Sequence, residues 1–184
     1  MVRDYIKFNK PLPLREYFRP LIGEKKEVKI ADIGSGPYSV IGSYLPDVKV
    51  EMTYCDRQDF REFWEKREMT SVISVEQQDM ENLTYQDNYF DIVHCLNALD
   101  HTRNAEKAVK EMIRICKPGG WVYIHCSLNQ LDTGYRHFWN AKSDGTLTNK
   151  VVTFDLKDYG FDIKFVDNGG LSRYNTITAI KHKI

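Results

Sequence analysis

The sequence has no long apolar run, no excess of either charge and no paired cysteine spacing, and each absence removes a class of protein. No stretch approaches the roughly 20 apolar residues that span a bilayer. The opening Met1-Val2-Arg3-Asp4 is polar, without the apolar core of a secretory signal, so the expected location is the cytoplasm with no membrane partner. Lys and Arg together number 26, as do Asp and Glu, which leaves no net field to draw in a polyanion. With no basic cluster either, nucleic acid is not an expected partner. The four cysteines, Cys55, Cys95, Cys116 and Cys126, never fall in a Cys-x-x-Cys pair and read as free buried thiols. His94 and His125 adjoin two of them in predicted strands, but their spacing matches no compact zinc pattern, and no metal is predicted. What remains, 184 residues with 42% hydrophobic and 28% charged side chains, suits one globular domain.

Within it, Val28 to Ile33 is an apolar strand that runs into Gly34-Ser35-Gly36-Pro37, with Asp32 just before the turn. Glycine adopts positive φ and has no Cβ, so Gly34 and Gly36 allow both a sharp turn and close approach of a ligand. A dinucleotide fingerprint would place a third glycine where Ser39 stands, and Pro37 and Tyr38 suit a pyrophosphate poorly. An acid at Asp32 fits instead a ligand that offers an amine. An ordinary structural turn is the competing reading.

The rest of the chain alternates strand and helix. A short helix is predicted over 13–22, then the strand 28–33, a helix over 38–45 ended by Pro46, and a strand over 48–55 ending at Asp56. Asp59 caps a helix bearing Phe60, Phe63 and Trp64, and 71–75 reads as a third strand. Phe90 to Leu96 is an apolar run suited to a central parallel strand. Asn104 to Ile115 is the clearest helix, with Ala105, Ala108, Val109, Met112 and Ile113 on one face and a Glu106/Lys110 pair on the other. Pro118-Gly119-Gly120 ends it before a fifth strand, 121–126, and strands over 161–166 and 175–181 flank Asn168-Gly169-Gly170, a turn fit for antiparallel neighbours. The pattern predicts an α/β fold: a Rossmann-like, doubly wound, mostly parallel seven-stranded sheet with an antiparallel C-terminal hairpin and helices on both faces. Its crevice lies at the carboxyl ends of the strands. Asp56, about 20 residues past Gly36, stands at the distance from which an acid reaches ribose hydroxyls; a helix-capping carboxylate is the alternative. Asp79 can accept from the exocyclic amine of a base, beside Met80.

Together, Val28 to Pro37, Asp56, Gln78-Asp79-Met80, Phe90 to Cys95 and Cys116 to Trp121 resemble the class I S-adenosylmethionine-dependent methyltransferases over roughly residues 28–127. The resemblance implies that S-adenosylmethionine is the cofactor. It places Asp32, Gly34, Ser35 and Gly36 at its methionine part, Asp56 at its ribose, Asp79 and Met80 at its adenine, and Asn97 beside the transferring methyl. The sequence thus divides into an N-terminal helical lid, 1–27, a cofactor core, 28–127, and an acceptor and closing segment, 128–184, of a single domain. Asn97 to His101 and Gly134 to Asn140 are also similar to uncharacterised bacterial methyltransferase-like proteins encoded with glycan-modifying enzymes, which implies a sugar or related small hydroxylated acceptor.

A neutral hydroxyl is a poor nucleophile near pH 7, so such an acceptor calls for a base, and His101 and His137 are the candidates. Tyr135, Phe138 and Trp139 around His137 are read either as a wall for a sugar ring or as part of the core. Three functions stay open: a small-molecule methyltransferase, which the neutral composition favours; a protein or RNA methyltransferase; and a cofactor-binding module without activity.

Overall fold

Apolar strands alternating with short helices build a seven-stranded sheet whose order turns back at its centre. A computed structural model describes residues 11–66, 73–128, 137–149, 151–166 and 176–184. Tyr5, Phe8, Tyr135 and the Asn168-Gly169-Gly170 turn lie outside them. The strands of the sheet are β1 (Glu27–Ile33), β2 (Lys49–Asp56), β3 (Val75–Gln77), β4 (Phe90–Leu96), β5 (Cys116–Ser127), β9 (Asp162–Val166) and β10 (Thr176–His182). Their spatial order is β3-β2-β1-β4-β5-β10-β9. β1 pairs in parallel with both β2 and β4, and β10 runs antiparallel to β5 and β9. The α/β sheet expected from the sequence, with its antiparallel C-terminal pair, is therefore present. Because the chain reverses its winding between β1 and β4, a crevice opens at their carboxyl ends.

Among the described residues three α-helices accompany the sheet: α1 (Phe18–Ile22), α2 (Arg61–Glu65) and α3 (Ala105–Ile115). α3 starts where Asn104 Oδ1 accepts the Lys107 backbone N–H at 3.0 Å, as its sequence predicts. It buries Ala105, Ala108, Val109, Met112 and Ile115 against Val93, Cys95, Val122 and Ile124 on one face of the sheet. On the other face, Leu14, Phe18, Leu21 and Ile22 pack on Val28, Ile30 and Ile92. Each large side chain buried in this way contributes about 1.5–3 kcal/mol. The described part of the N-terminal segment is thus a core cover. No helix among the described residues is long and apolar enough to cross a membrane.

The helix expected over 38–45 is absent, and the one expected over 13–22 shrinks to α1. Both segments give their backbone groups to each other: Leu14 N–H donates to Tyr44 O at 2.8 Å, Arg15 N–H to Ile41 O at 2.9 Å and Ser43 N–H to Leu12 O at 2.8 Å. Gly42 sits at φ +89°, and a Cβ there would lie 2.1 Å from Pro13 O, so the tertiary contact and not local propensity decides this stretch. The third strand comes later than expected, at Val75–Gln77, and β5 starts at Cys116, taking in Pro118-Gly119-Gly120. A small antiparallel sheet, unforeseen from the sequence, is formed by β6 (Asn140–Ala141), β7 (Thr146–Thr148) and β8 (Thr153–Asp155). It adds Ala141, Leu147 and Phe154 to the core beneath α3.

Asp91 on β4 ties the entry of the sheet together. It accepts from Lys25 Nζ at 2.7 Å, Lys29 N–H at 3.0 Å and Lys117 Nζ at 3.1 Å. Burial alone would push its carboxyl up, but these three donors outweigh it and hold the group below the usual carboxylate value. A depressed native pKa means stability that is fully present above the unfolded value of about 3.9 and is lost as pH falls through the lower native one. Urea midpoints measured between pH 6 and pH 2 are expected to fall over that acid range, and less steeply in Asp91→Asn, which no longer titrates.

Candidate functional site

β1 delivers its carboxyl end into Gly34 and Gly36, both at positive φ (+72° and +64°). The turn is stitched to the end of β2. Gly34 and Ser35 N–H both donate to Cys55 O, at 2.8 and 3.0 Å, and Gly36 N–H donates to Asp56 Oδ2 at 3.1 Å. The other carboxylate oxygen of Asp56 accepts Gln58 N–H at 2.9 Å, which fixes the side chain at the rim. After β4, Asn97 adopts φ +49°, and its Oδ1 accepts both Ser127 N–H and Ser127 Oγ at 3.1 Å, joining the ends of β4 and β5. After β3, Asp79 Oδ1 closes a turn on Glu81 N–H at 3.0 Å. Glu81 in turn accepts from Arg103 and Asn104 N–H, at 2.6 and 3.1 Å, at the start of α3. Four loops are thereby fixed around one crevice.

The crevice holds a cavity of about 650 Å³, within the range of small-molecule sites. Of the residues singled out from the sequence, Gly34, Asp56, Asp79, Met80, Asn97 and His101 are on its wall. Ile33 and Met80 supply apolar surface between the two aspartates, and the wall carries Asp56, Asp79 and Glu81 against Arg57 and Arg103. That leaves it with one more carboxylate than guanidinium, and with no lysine among the described residues. Cys55 also borders it, its thiol pushed up to about 12 by burial and so not a nucleophile near neutral pH.

Ser35 and Gly36 shape the turn without lining the cavity. Asp32 is turned away altogether. It is 2% exposed, accepts Ser39 Oγ at 2.6 Å on Oδ2 and pairs through Oδ1 with His94 Nδ1 at 3.0 Å. His94, fully buried, reaches on to Tyr17 Oη at 3.0 Å. The strand's alternation accounts for this: Val28, Ile30 and Asp32 share the face that α1 covers, while Ile33 faces the cavity.

At the far end of the cavity a short 3₁₀ turn, Leu99–His101, presents Asp100 and His101. His137 joins them although it lies 36 residues past His101: its Nδ1 pairs with Asp100 Oδ2 at 2.5 Å, and its ring centroid is 4.3 Å from that of His101. Phe138, next in the chain, is half-exposed on the cavity wall. Trp139 is not: it is buried, with Nε1–H donating to Thr102 O at 3.0 Å, and belongs to the core. The aromatic wall considered from the sequence is thus reduced, among the described residues, to Phe138. Asp100 escaped the sequence reading as a functional candidate, because nothing in local spacing links it to His137.

Residues 31–124, half of the chain, match the family of methyltransferase domains. The chain is 28% identical over 152 residues to the ubiquinone/menaquinone biosynthesis C-methyltransferase UbiE of Pseudomonas aeruginosa, covering 80% of this chain and 51% of that protein. The corresponding protein of Photorhabdus laumondii is 30% identical over 107 residues, 58% of this chain and 35% of the relative. The chain spans about half the length of these curated relatives, or less. Among solved structures, a putative S-adenosylmethionine-dependent methyltransferase from Listeria monocytogenes superposes with a TM-score of 0.55 at 13% identity, covering 91% of this chain and 96% of that one. A SAM-dependent methyltransferase from Aquifex aeolicus superposes with 0.51 at 18% identity, over 86% and 85%. At these identities the likeness concerns the fold.

Proposed function

The chain belongs to the methyltransferase-domain family, and from that premise we propose that it transfers a methyl group from S-adenosylmethionine to a small hydroxylated acceptor bound at the His101 end of the cavity. One observation carries the reading: Asp56 stands on the cavity wall while holding the glycine turn through Gly36 N–H. A carboxylate placed there suits a ribose diol, and Asp79 with Met80 suits the amine edge and face of an adenine. Gly34 lies on the cavity wall against Ala98 with no room for a Cβ, so the methionine part meets bare backbone at Gly34, in a turn shaped by Ser35 and Gly36. Asp32 acts on that part indirectly, by holding Ser39 and with it the turn. The surplus of carboxylates on the wall favours a cationic cofactor. When bound, that cofactor supplies an electrophilic methyl on a sulfonium centre.

The chain's own work is alignment, exclusion of water and handling of one proton. Asn97, fixed by Ser127, borders the space between cofactor and acceptor. His101 and His137 are the residues that take the acceptor's proton as its oxygen attacks, with Phe138 as the apolar contact. A concave wall with no lysine among the described residues favours a small acceptor over a macromolecule. The name of the relatives favours a second reading, in which the deprotonated hydroxyl directs the methyl group to an adjacent ring carbon. Product NMR separates an O-methyl from a C-methyl.

Calorimetric titration with S-adenosylmethionine and S-adenosylhomocysteine tests the reading. Both are expected to bind, and Asp56→Ala is expected to weaken them about 10- to 100-fold, the worth of hydrogen bonds to a charged group. Binding of NAD and of neither methyl-cycle nucleoside overturns the proposal, and an unchanged affinity in Asp56→Ala removes that residue from the site.

A further inference from the structure

We propose that Asp100, His101 and His137 bind a divalent transition-metal cation at the acceptor end of the cavity. One donor atom from each residue lies within 4.8 Å of the others. Ligands bonded to one four-coordinate zinc-like ion at about 2.0–2.2 Å stand about 3.3–3.6 Å apart, so side-chain rotation, with no rearrangement of the backbone, closes the set. The backbone has already brought the donors together. Phe138 and Trp139 N–H both donate to Asp100 O, at 2.7 and 3.2 Å, and Trp139 Nε1–H to Thr102 O at 3.0 Å. These bonds dock the segment that carries His137 onto the turn that carries His101.

A second observation points to a ligand. Asp100 is 2% exposed, and while Oδ2 pairs with His137, the buried Oδ1 has no hydrogen-bond partner among the described residues. A carboxylate oxygen withdrawn from water and left unpaired is costly, and a cation removes that cost. Asp100 would then supply one carboxylate oxygen to the ion, and His101 and His137 one imidazole nitrogen each. Two imidazoles and a carboxylate suit zinc, cobalt(II), manganese(II) or iron(II), and not magnesium or calcium, which prefer all-oxygen sets.

Three protein ligands leave a coordination position open, and His101 places it at the cavity. With the ion in place, His101 and His137 serve as its ligands in place of the base role: an acceptor oxygen bound there has its pKa lowered by the ion, and its proton passes to solvent. The O–CH3 bond then forms as the S–CH3 bond breaks and the sulfonium leaves as a thioether. This catalytic role rests on the methyltransferase reading; the binding of the ion does not. No metal is expected from the sequence, and the proposal departs from that expectation because these ligands come from segments with no spacing signature.

The test uses the full chain without a polyhistidine tag, titrated calorimetrically with zinc chloride and followed by cobalt(II) absorption. One equivalent is expected to bind. Affinity is expected to fall about 10- to 100-fold in Asp100→Asn, and stoichiometric binding to vanish in His101→Ala/His137→Ala, with circular dichroism and S-adenosylhomocysteine affinity retained. His101 is exposed, so His101→Ala alone gives a folded variant whose affinity is expected to drop at least tenfold if the double variant does not fold. No stoichiometric binding by the parent protein, or binding that survives loss of the histidines, overturns the proposal. Zinc binding that depends on these residues, without S-adenosylhomocysteine binding, removes the cofactor reading and leaves the metal site standing.

Discussion

Asp32→Ala is expected to lower the free energy of unfolding by about 3 kcal/mol, because removing a buried carboxylate leaves two hydrogen-bonding partners unsatisfied. Ser39 Oγ and His94 Nδ1 both lose their acceptor in a site with almost no solvent. With a urea m-value of about 2 kcal/mol/M, the midpoint falls by on the order of 1–2 M. The mutation reaches the turn as well: Ser39 stands at φ +41°, with its N–H donating to Ser35 O at 3.2 Å, and Asp32 is what fixes its side chain. A double-mutant cycle with His94→Ala supplies the control. Coupled partners give a combined loss well below the sum of the single losses. A midpoint unchanged in Asp32→Ala would show that this carboxylate contributes nothing to the fold, and would return it to the direct cofactor contact expected from the sequence.

Gly34→Ala is expected to remove S-adenosylhomocysteine binding and to destabilise the protein by about 2–5 kcal/mol. Two costs add. An alanine at φ +72° carries the left-handed penalty of about 1–2 kcal/mol, and its methyl would sit 2.3 Å from Ala98 Cβ, an overpacking worth about 1–3 kcal/mol more. Ala98 follows Asn97, so relief of the clash displaces the loop that lines the cavity after β4. Gly36→Ala is the comparison: its φ is nearly the same, +64°, but nothing lies within 4 Å of the added carbon. That variant should lose only about 1–2 kcal/mol. Chemical denaturation and calorimetry on the two variants separate backbone strain from contact, and equal losses in both would refute the close approach at Ala98.

The sheet was legible because its strands are long and apolar and its turns are marked. β1 ends at two glycines, β4 is a buried, mostly apolar run, and α3 has a capping asparagine and a clean apolar stripe. Asp56, Asp79 and Asn97 were placed on one edge by topology alone, since parallel strands bring their carboxyl ends together. What failed was decided at long range. Residues 38–45 have helical spacing, but the backbone groups of Leu12, Leu14 and Arg15 claim them. The strands β6 to β8 are two or three residues each, too short for alternation to rise above background. Asp32 is the instructive miss: its alternation with Val28 and Ile30 was readable, yet its position beside the glycines outweighed it. The pairing of Asp100 with His137 left no local trace at all.

The four cysteines sit in the middle of the sheet, Cys55 on β2, Cys95 on β4, Cys116 and Cys126 on β5, and all are buried and unpaired. Burial pushes every one of these thiols up, Cys55 to about 12 and Cys116 to about 11. Few thiolates form near neutral pH, and side chains that are 1% exposed or less wait on local opening before a reagent reaches them. The chain therefore carries its own clock of strand opening, with no label to be added. The rate at which each cysteine is alkylated under native conditions measures how often its strand parts from its neighbours, and shows whether a bound nucleoside holds β2 and β4 shut together or one at a time.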